Sequence, residues 1–491
     1  MAHVQLTCGA VMVALLLLAG CGKAKSPEAV TAPKAARPKP VVKRLEQNAV
    51  DPHKNESGKQ AKSVPEVATG PLRPPDTRLQ PDDEDLRPRG IARYESKRLR
   101  LYTDIDAERA ARLPPLVDAL YDALVAWFGP LPPDDAGGEF QMTGYLMADP
   151  ARFEASSLVP LDLGPIRHGR HRGAEFWMMD QASDYYLAHL LLHEATHCVM
   201  TIVPNPLQSR TWYIEGMAEL FATHRPGPPS QFGVMPDAPD NFLDLGRIRL
   251  INDAVAEGRT LNAKQVFDFT PDDYLENPPY AWSWALCWYL ANHPETRERF
   301  RTVQARIDID HPHNSFLAVF HEDQHAIAQG FWMFVNDLCH GYDLERAAIE
   351  FRIGKAMDAG EVRVSLRADR GWQSSGLFVE AGRRYRLVAT GRYVVGASTV
   401  GGQVRPWTCE PQGITLRYFE GEPLGKLLGT VREERPGQAP GNLSMRAVSA
   451  LGRESEWTAQ TTGTLYLRVN DAWNSLADNS GELQVTISEQ K

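Results

Sequence analysis

The chain has 491 residues, too many for one hydrophobic core, and its length predicts two to four domains. Hydrophobic residues make up 43% and charged residues 23%, an ordinary balance that excludes neither an enzyme nor a binding module. The net charge of −9, with no basic patch interleaved with aromatics, argues against a nucleic-acid-binding protein.

Ala10 to Ala19 (AVMVALLLLA) is an apolar run too short to span a bilayer as a helix but suited to the core of a signal peptide. The preceding Met1 to Thr7 holds no Lys or Arg, only His3. The run closes on Leu18-Ala19-Gly20-Cys21, which resembles the lipobox of bacterial lipoprotein signals. The resemblance implies a signal peptide over 1–20, lipidation of Cys21, and a mature chain held at a membrane outside the cytoplasm. Gly22 after the cysteine points to the outer rather than the inner membrane of the bacterial envelope. From Lys23 to about Arg89 the chain is rich in Pro, Lys, Ala and Glu and poor in large apolar residues. Such a segment buries too little surface to offset chain entropy, so 21–90 is expected to be a disordered tether.

Order is expected from Ile91. Ala92 to Ile105 alternates like a half-buried strand. Asp106 to Phe128 carries apolar residues at helical spacing and stops at Gly129-Pro130. Phe140 to Met147 and Gly173 to Asp180 read as strands, and Tyr185 to Ile202 as a long helix. Trp212 to His224, Tyr280 to Asn292, Pro294 to Ile307 and His325 to Leu338 read as further helices. After Gly360 short alternating runs sit between Gly-rich turns, the pattern of an all-β sandwich. The expected organisation is an α+β domain over 91–357 followed by a β-sandwich over 360–491.

Residues 193–197 read HEATH. On a helix, positions i and i+4 share a face, so His193 and His197 can reach one cation while Glu194 holds a water against it. A third ligand is offered by Trp212-Tyr213-Ile214-Glu215-Gly216-Met217-Ala218-Glu219. The natural division puts Glu215 on zinc and Glu219 on a ligand imidazole, with Glu219 as the alternative ligand. Three protein ligands and one open position make the catalytic rather than the structural zinc arrangement. For the oxyanion of the reaction, His224 and Arg225 are candidate donors.

These blocks resemble the gluzincin metallopeptidases, most closely the peptidase-MA-like families of bacteria, over about Arg93 to Tyr342. The matching pieces are the leading strand, an edge strand (GAEFWMMD), HEATH, WYIEGMAE and Tyr280 to Leu286. The resemblance implies a zincin-like fold, a catalytic Zn²⁺ on His193, His197 and Glu215, Glu194 as general base, Tyr280 as a donor to the oxyanion, and a protein or peptide substrate. A second His-Glu-x-x-His stands at His321 to His325 (HEDQH), followed by Glu345. It has no edge strand before it and no Gly-x-Ala-Glu context, and reads as a solvated capping region. Apart from Cys8 and Cys21, four cysteines remain (Cys198, Cys287, Cys339, Cys409), spaced neither as a metal ribbon nor as a disulfide framework. A single bridge is compatible with them, and the spacing does not say between which.

The stretch Asn470 to Ile487 (NDAWNSLADNSGELQVTI) clusters hard oxygen donors in a loop between two strands. Calcium wants six to eight such oxygens, although Asx turns use the same residues. From about Arg363 to Ile487 the chain resembles the small bacterial galactophilic calcium lectins. The matching pieces are Trp372 to Gly376, Ala389 to Gly391, Pro423 to Leu427, Leu465 to Leu467, Asn470-Asp471 and Asp478 to Gly481. The resemblance implies a Ca²⁺ site from Asp471, Ser475, Asp478, Asn479 and the carbonyl near Val395, with sugar held by the 407–413 loop. Gln412 matches there, and Glu410 stands near the family's His. The whole reads as a lipid-anchored zinc metallopeptidase with a calcium- and carbohydrate-binding module. The alternatives are a surface lipoprotein that binds glycans through an inert zincin domain, and a hydrolase of the cell wall or linked glycans that docks by its sandwich.

Overall fold

The computed structural model describes residues 73, 76, 78, 80–133, 138–203, 206–239, 246–303, 312–358, 360–434, 445 and 447–490. The expected signal peptide, Cys21 and most of the expected tether lie outside the described residues. The fold starts earlier than position 91. Asp82 caps a helical turn at Asp83–Leu86 by accepting from Glu84 N, and Leu86 is buried with Ile91, Tyr102 and Phe153. The end of the Pro-rich stretch is thus drawn in because it carries one leucine that a neighbouring core can cover.

Strand β1 (Ala92–Glu95) and strand β2 (Leu99–Thr103) form an antiparallel hairpin, where the alternating pattern suggested one strand. The reversal is held by Asp118, which accepts from Ser96 Oγ at 2.7 Å and from Arg98 N at 2.8 Å. The helix expected over 106–128 is split: a short turn at Ala107–Ala111 precedes α1 (Leu113–Phe128). Pro114 and Pro115 supply no N–H to continue the earlier turn but suit the first turn of a new helix.

Three further strands complete a mixed sheet: β3 (Met142–Met147), β4 (Gly169–Arg172) and β5 (Glu175–Met179). Their order is β1-β2-β3-β5-β4, with β2, β3 and β5 parallel and β4 antiparallel to β5. The edge strand is therefore not the GAEFWMMD segment. That segment is β5, an interior strand whose Phe176, Trp177 and Met178 are all buried, as a strand covered on both faces requires. The edges are β1 and β4, and the Gly-Arg-His-Arg of β4 has no β-branched residue to announce it.

Among the described residues, the other helices of ten or more residues in this part are α2 (Asp184–Met200), α3 (Thr211–Ala222), α4 (Arg247–Ala256), α5 (Pro278–Asn292) and α6 (Gln324–Asn336). Of the helix expected over 294–307, residues 294–303 are described, and among them the helix covers Arg297–Arg301. Cys198, Cys287, Cys339 and Cys409 are all free thiols.

From Glu361 onward two antiparallel four-stranded sheets form. One runs in the order Glu454–Thr458, Arg384–Thr390, Glu482–Gln490, Glu361–Arg367. The other runs Ser449–Ala450, Leu427–Glu433, Gly463–Val469, Gln373–Val379. Leu366, Leu387 and Val485 of the first share a core with Leu377, Leu427 and Leu465 of the second.

The helical part and the β part also share buried surface. Trp372, Tyr466, Trp473 and Leu476 belong to the same core as Phe331, Tyr342 and Leu344. Tyr342 stacks on Trp473 with centroids 5.9 Å apart. The Arg468 guanidinium lies 3.8 Å from the centroid of the Trp473 ring. Buried Arg432 donates to Gln329 Oε1 at 2.9 Å, and Arg352 N donates to the Tyr466 hydroxyl at 2.9 Å. A core that crosses the boundary near 360 couples the unfolding of both parts. Urea denaturation should show one transition, and Trp473→Ala should lower its free energy by about 3–5 kcal/mol. Two separated transitions, only one of them shifted, would contradict a shared core.

Candidate metal centre

Helix α2 begins where Ser183 accepts from Tyr186 N, and every residue from Leu187 to Met200 is buried. A helix buried nearly all round is an interior helix, so polar side chains on it must find partners inside the protein. His189, His193 and His197 follow one another at i+4 spacing and form a single stripe. Helix α3 lies against α2 and presents Glu215 and Glu219, also one turn apart. Its Gly216 is needed for close approach. A Cβ there would stand 2.6 Å from Ser283 O and 2.6 Å from Cys287 Sγ, both on α5.

Three ligand-type atoms converge. His193 Nε2 and His197 Nε2 are 3.0 Å apart, and Glu215 Oε2 is 3.3 Å from the first and 3.4 Å from the second. Zinc bonds nitrogen and oxygen at about 2.0–2.2 Å, and a tetrahedral ion with such bonds spaces its ligand atoms by about 3.4 Å. Glu215 Oε2 is buried with no hydrogen-bond partner among the described residues. The donor set, its spacing and this orphaned oxygen fit a zinc ion.

Glu219 organises the surroundings. Its Oε1 lies 3.0 Å from His193 Nδ1, and its Oε2 lies 3.1 Å from His189 Nε2. Arg247 of α4 grips the same carboxylate with Nε and Nη2 at 2.6 and 2.7 Å. Burial pushes the Glu219 carboxyl up, but Arg247 and His189 outweigh it and hold it well below the usual carboxylate range. Burial likewise raises Glu215, and the His197 and His193 imidazoles overcome that and hold it down. Glu219 therefore serves an imidazole and a guanidinium rather than the metal position, and Glu215 is the carboxylate that completes the triangle.

Glu194 stands on the side of β4. Its Oε2 is buried without a hydrogen-bond partner, and a Cβ on Gly169 would come within 2.2 Å of its Oε1. A cavity of about 210 Å³ opens here, lined by Arg167, His168, Gly169, Glu194, Tyr186 and Tyr280 among others. The Tyr280 ring lies 5.9 Å from the His193 ring, and burial raises its hydroxyl above the usual tyrosine range, so it stays protonated. His224 and Arg225 line a different cavity. His224 Nδ1 lies 2.9 Å from Ala222 O, and Arg225 donates to Asp237 at 2.8 Å.

The second His-Glu-x-x-His does not form a ligand face. It is broken between a 3₁₀ turn at His321–Asp323 and the start of α6, with His321 and His325 both exposed. Asp323 pairs with Arg299 at 2.7 Å and Glu345 with Arg297 at 3.1 Å.

The structure adds three residues to the first centre. His189 was legible as the i−4 member of the histidine stripe. His171 of β4 stacks on His197 at 4.3 Å, with its Nδ1 3.7 Å from Glu194 Oε2. Arg247 comes from a distant helix, and no local pattern marks it.

In the β part, Asn479 pairs with Val395 across two short strands, and Asp478 Oδ2 lies 3.6 Å from where a Cβ on Gly396 would stand. Asp471 is buried; its Oδ1 accepts from Ala472 N at 2.7 Å. Asp471 Oδ2 and Asn479 Oδ1 have no hydrogen-bond partner among the described residues. Burial, and then the Asp478 charge, push the Asp471 carboxyl up. Ser475 lies in the same loop and accepts through its carbonyl from Asp478 N. Oxygen donors with two orphaned atoms suit a hard cation such as calcium. Glu410 sits 3.6 Å from Arg453, and Gln412 is exposed.

No family model matches the chain, and no curated protein matches it. Among solved structures, the N-terminal domain of EclA, a PllA-like lectin, matches at 22% identity over 26% of this chain and 95% of that one, with a TM-score of 0.19. PliG of Aeromonas hydrophila, a periplasmic inhibitor of g-type lysozyme, matches at 12% identity over 27% of this chain and 85% of that one, with a TM-score of 0.15. At these scores neither likeness bears on the fold or the chemistry.

The Glu219–Arg247 pair sets an acid limit on stability. Because the folded-state value of Glu219 is depressed, its contribution is present above the ordinary value of 4.5 and is lost as pH falls below it toward the depressed one. In chelator, Arg247→Ala should cost about 3–5 kcal/mol at neutral pH, since it leaves a buried carboxylate short of its main partner. The gap to wild type should narrow below pH 4.5. A gap independent of pH would count against this account.

Proposed function

We propose that the chain is a zinc metallopeptidase of gluzincin type, with a zincin-like α+β domain and an accessory β-sandwich. What carries the reading is the triangle of His193, His197 and Glu215 atoms at 3.0 to 3.4 Å beside Glu194, whose Oε2 has no hydrogen-bond partner among the described residues, on an open cleft. Zinc held there would lower the pKa of a bound water to near neutrality and polarise a carbonyl. Glu194 would take the proton from the attacking water and hand it to the leaving amine. Glu219, against His193 Nδ1, keeps Nε2 free to face the ion. Tyr280, held protonated by burial, would donate to the oxyanion from the cleft wall. Glu215 stays ionised and supplies the single negative charge of the ligand set.

The accessory reading is that Val395, Asp471, Ser475, Asp478 and Asn479 hold Ca²⁺ and that the module, with Glu410 and Gln412 nearby, engages glycans. It is supported by the orphaned Asp471 and Asn479 oxygens. The lipobox at Cys21 supports placement of the enzyme on the outside of a bacterial membrane, the outer one preferred.

The purified chain should bind about one zinc and cleave unfolded protein, and Glu194→Gln should lower kcat by about 10²–10⁴ while retaining zinc. His193→Ala should lose the metal. Cleavage that survives Glu194→Gln would sink the mechanism, and binding of glycans without Glu194-sensitive cleavage would favour an inert zincin. Calcium should raise the thermal midpoint of wild type but not of Asp471→Asn, because ligand that binds only the folded state stabilises it. Equal response of both proteins would remove Asp471 from the site.

A further inference from the structure

The wall of the cleft next to Glu194 has an unusual composition. Gly164 to Gly173 (GPIRHGRHRG) contains three Arg and two His and no acid, in a chain whose net charge is −9. This stretch includes β4, the last strand of its sheet. Arg167 and His168 line the cavity. Arg170 donates to Leu163 O, and neither Arg167 nor Arg170 has a carboxylate partner among the described residues. Arg172 pairs with Asp162 at 3.2 Å, and with the two side chains 48% and 82% exposed the pair is weak and exchangeable; Arg172 also lies 5.6 Å from the Trp177 ring centroid and stands opposite Glu175 in the ladder.

The register of β4 decides what faces outward. Met179 N donates to His168 O, and Arg170 lies opposite Trp177. Bonded and unbonded positions alternate in an antiparallel ladder. The N–H and C=O groups of Gly169 and His171 therefore point away from β5, to the open side of the sheet. Such an edge can accept an extended peptide as an added strand. Gly169 touches Glu194, so a strand paired there runs past the general base. Side chains on β4 alternate between faces: His171 stacks on His197, while Arg170 and Arg172 take the opposite face. Every second side chain of the added strand would stand beside Arg170 and Arg172, within reach for cross-strand pairing.

We infer that this site takes acidic peptides: an extended substrate laid along β4, with Asp or Glu close to the scissile bond meeting Arg167, Arg170 and Arg172. The inference rests on the peptidase reading and names its substrate class. Carboxylates are the complement of these guanidinium groups, and the cleft would steer them in at low salt.

Two arms test it on the full zinc-loaded chain. In the first, a denatured protein library is digested and the cut sites are read by mass spectrometry. Asp and Glu should be enriched within about two positions of the cut, and Arg170→Glu with Arg172→Glu should reduce the acidic-to-neutral ratio about tenfold. Arg170→Gln with Arg172→Gln, which keeps the side chains polar, should reduce it in the same direction if the reversal variant does not fold. In the second arm, Glu194→Gln protein is titrated with labelled acidic, neutral and basic hexapeptides. The acidic one should bind about tenfold tighter than the neutral one, with affinity falling as salt rises. Cleavage without acidic enrichment, or equal binding of the three peptides, overturns the inference. No cleavage at all counts against the peptidase reading, while the binding arm still decides the peptide class.

Discussion

Burying charge is the constraint around which the helical part is organised. Glu194, Glu215 and Glu219 all stand inside or at the wall of one helix pair, and one guanidinium, Arg247, reaches Glu219. An ionised carboxylate out of water is tolerated only when paired or bonded to a metal. Glu219 is satisfied by Arg247, His189 and His193. Among the described residues, Glu215 meets two imidazoles, and Glu194 has a partly exposed histidine at 3.7 Å. A divalent cation between the two α2 imidazoles and Glu215 would supply the charge that the side chains lack. The rest of this part serves that geometry. Helix α2 is held rigid by burial on all sides, Gly216 lets α5 close on α3, and β4 brings an open strand edge to Glu194.

The β part is joined to this framework rather than tethered to it. The loop that carries the oxygen donors Asp471, Asp478 and Asn479 also carries Trp473, which stacks on Tyr342, and Asn474, which donates to His340 O at 2.9 Å. One loop thus has two duties. An ion that ordered its oxygen donors would also hold the aromatic contact to the helical part. Arg468, buried and placed over Trp473, donates to Val469 O and to Asp471 O, and so links the donor loop to the strand before it. A guanidinium stacked on an aromatic face and bonded to backbone carbonyls keeps its charge inside the protein at tolerable cost.

Much of this was legible in the sequence because it is local. HEATH is a helix-period pattern, so the face shared by His193 and His197 follows from 3.6 residues per turn, and His189 was open to the same reasoning. Glu215 and Glu219, one turn apart, meet different partners: Glu215 faces Nε2 of His193 and His197, while Glu219 faces His193 Nδ1, His189 and Arg247. The discounted second motif carried its own warning in the polar Asp323 and Gln324, and it proves to straddle a change of helix type. The change from helices to short strands after Gly360 was also plain, because period-2 alternation between glycine turns is a local signal.

What the tertiary structure alone decided is non-local. Arg247 meets Glu219 because α4 packs back on α3, and no periodicity marks a residue 28 positions away. The edge of the sheet was misplaced because strand order depends on pairing, and the apolar GAEFWMMD segment looks equally like an edge or an interior strand. The four residues of β4 carry no strand pattern, yet they hold His171 against His197 and bring Gly169 against Glu194. The shared core of Tyr342, Trp473 and Tyr466 was invisible for the same reason. Residue types and spacing determine which groups can do chemistry, and only the packing of distant segments decides which of them meet.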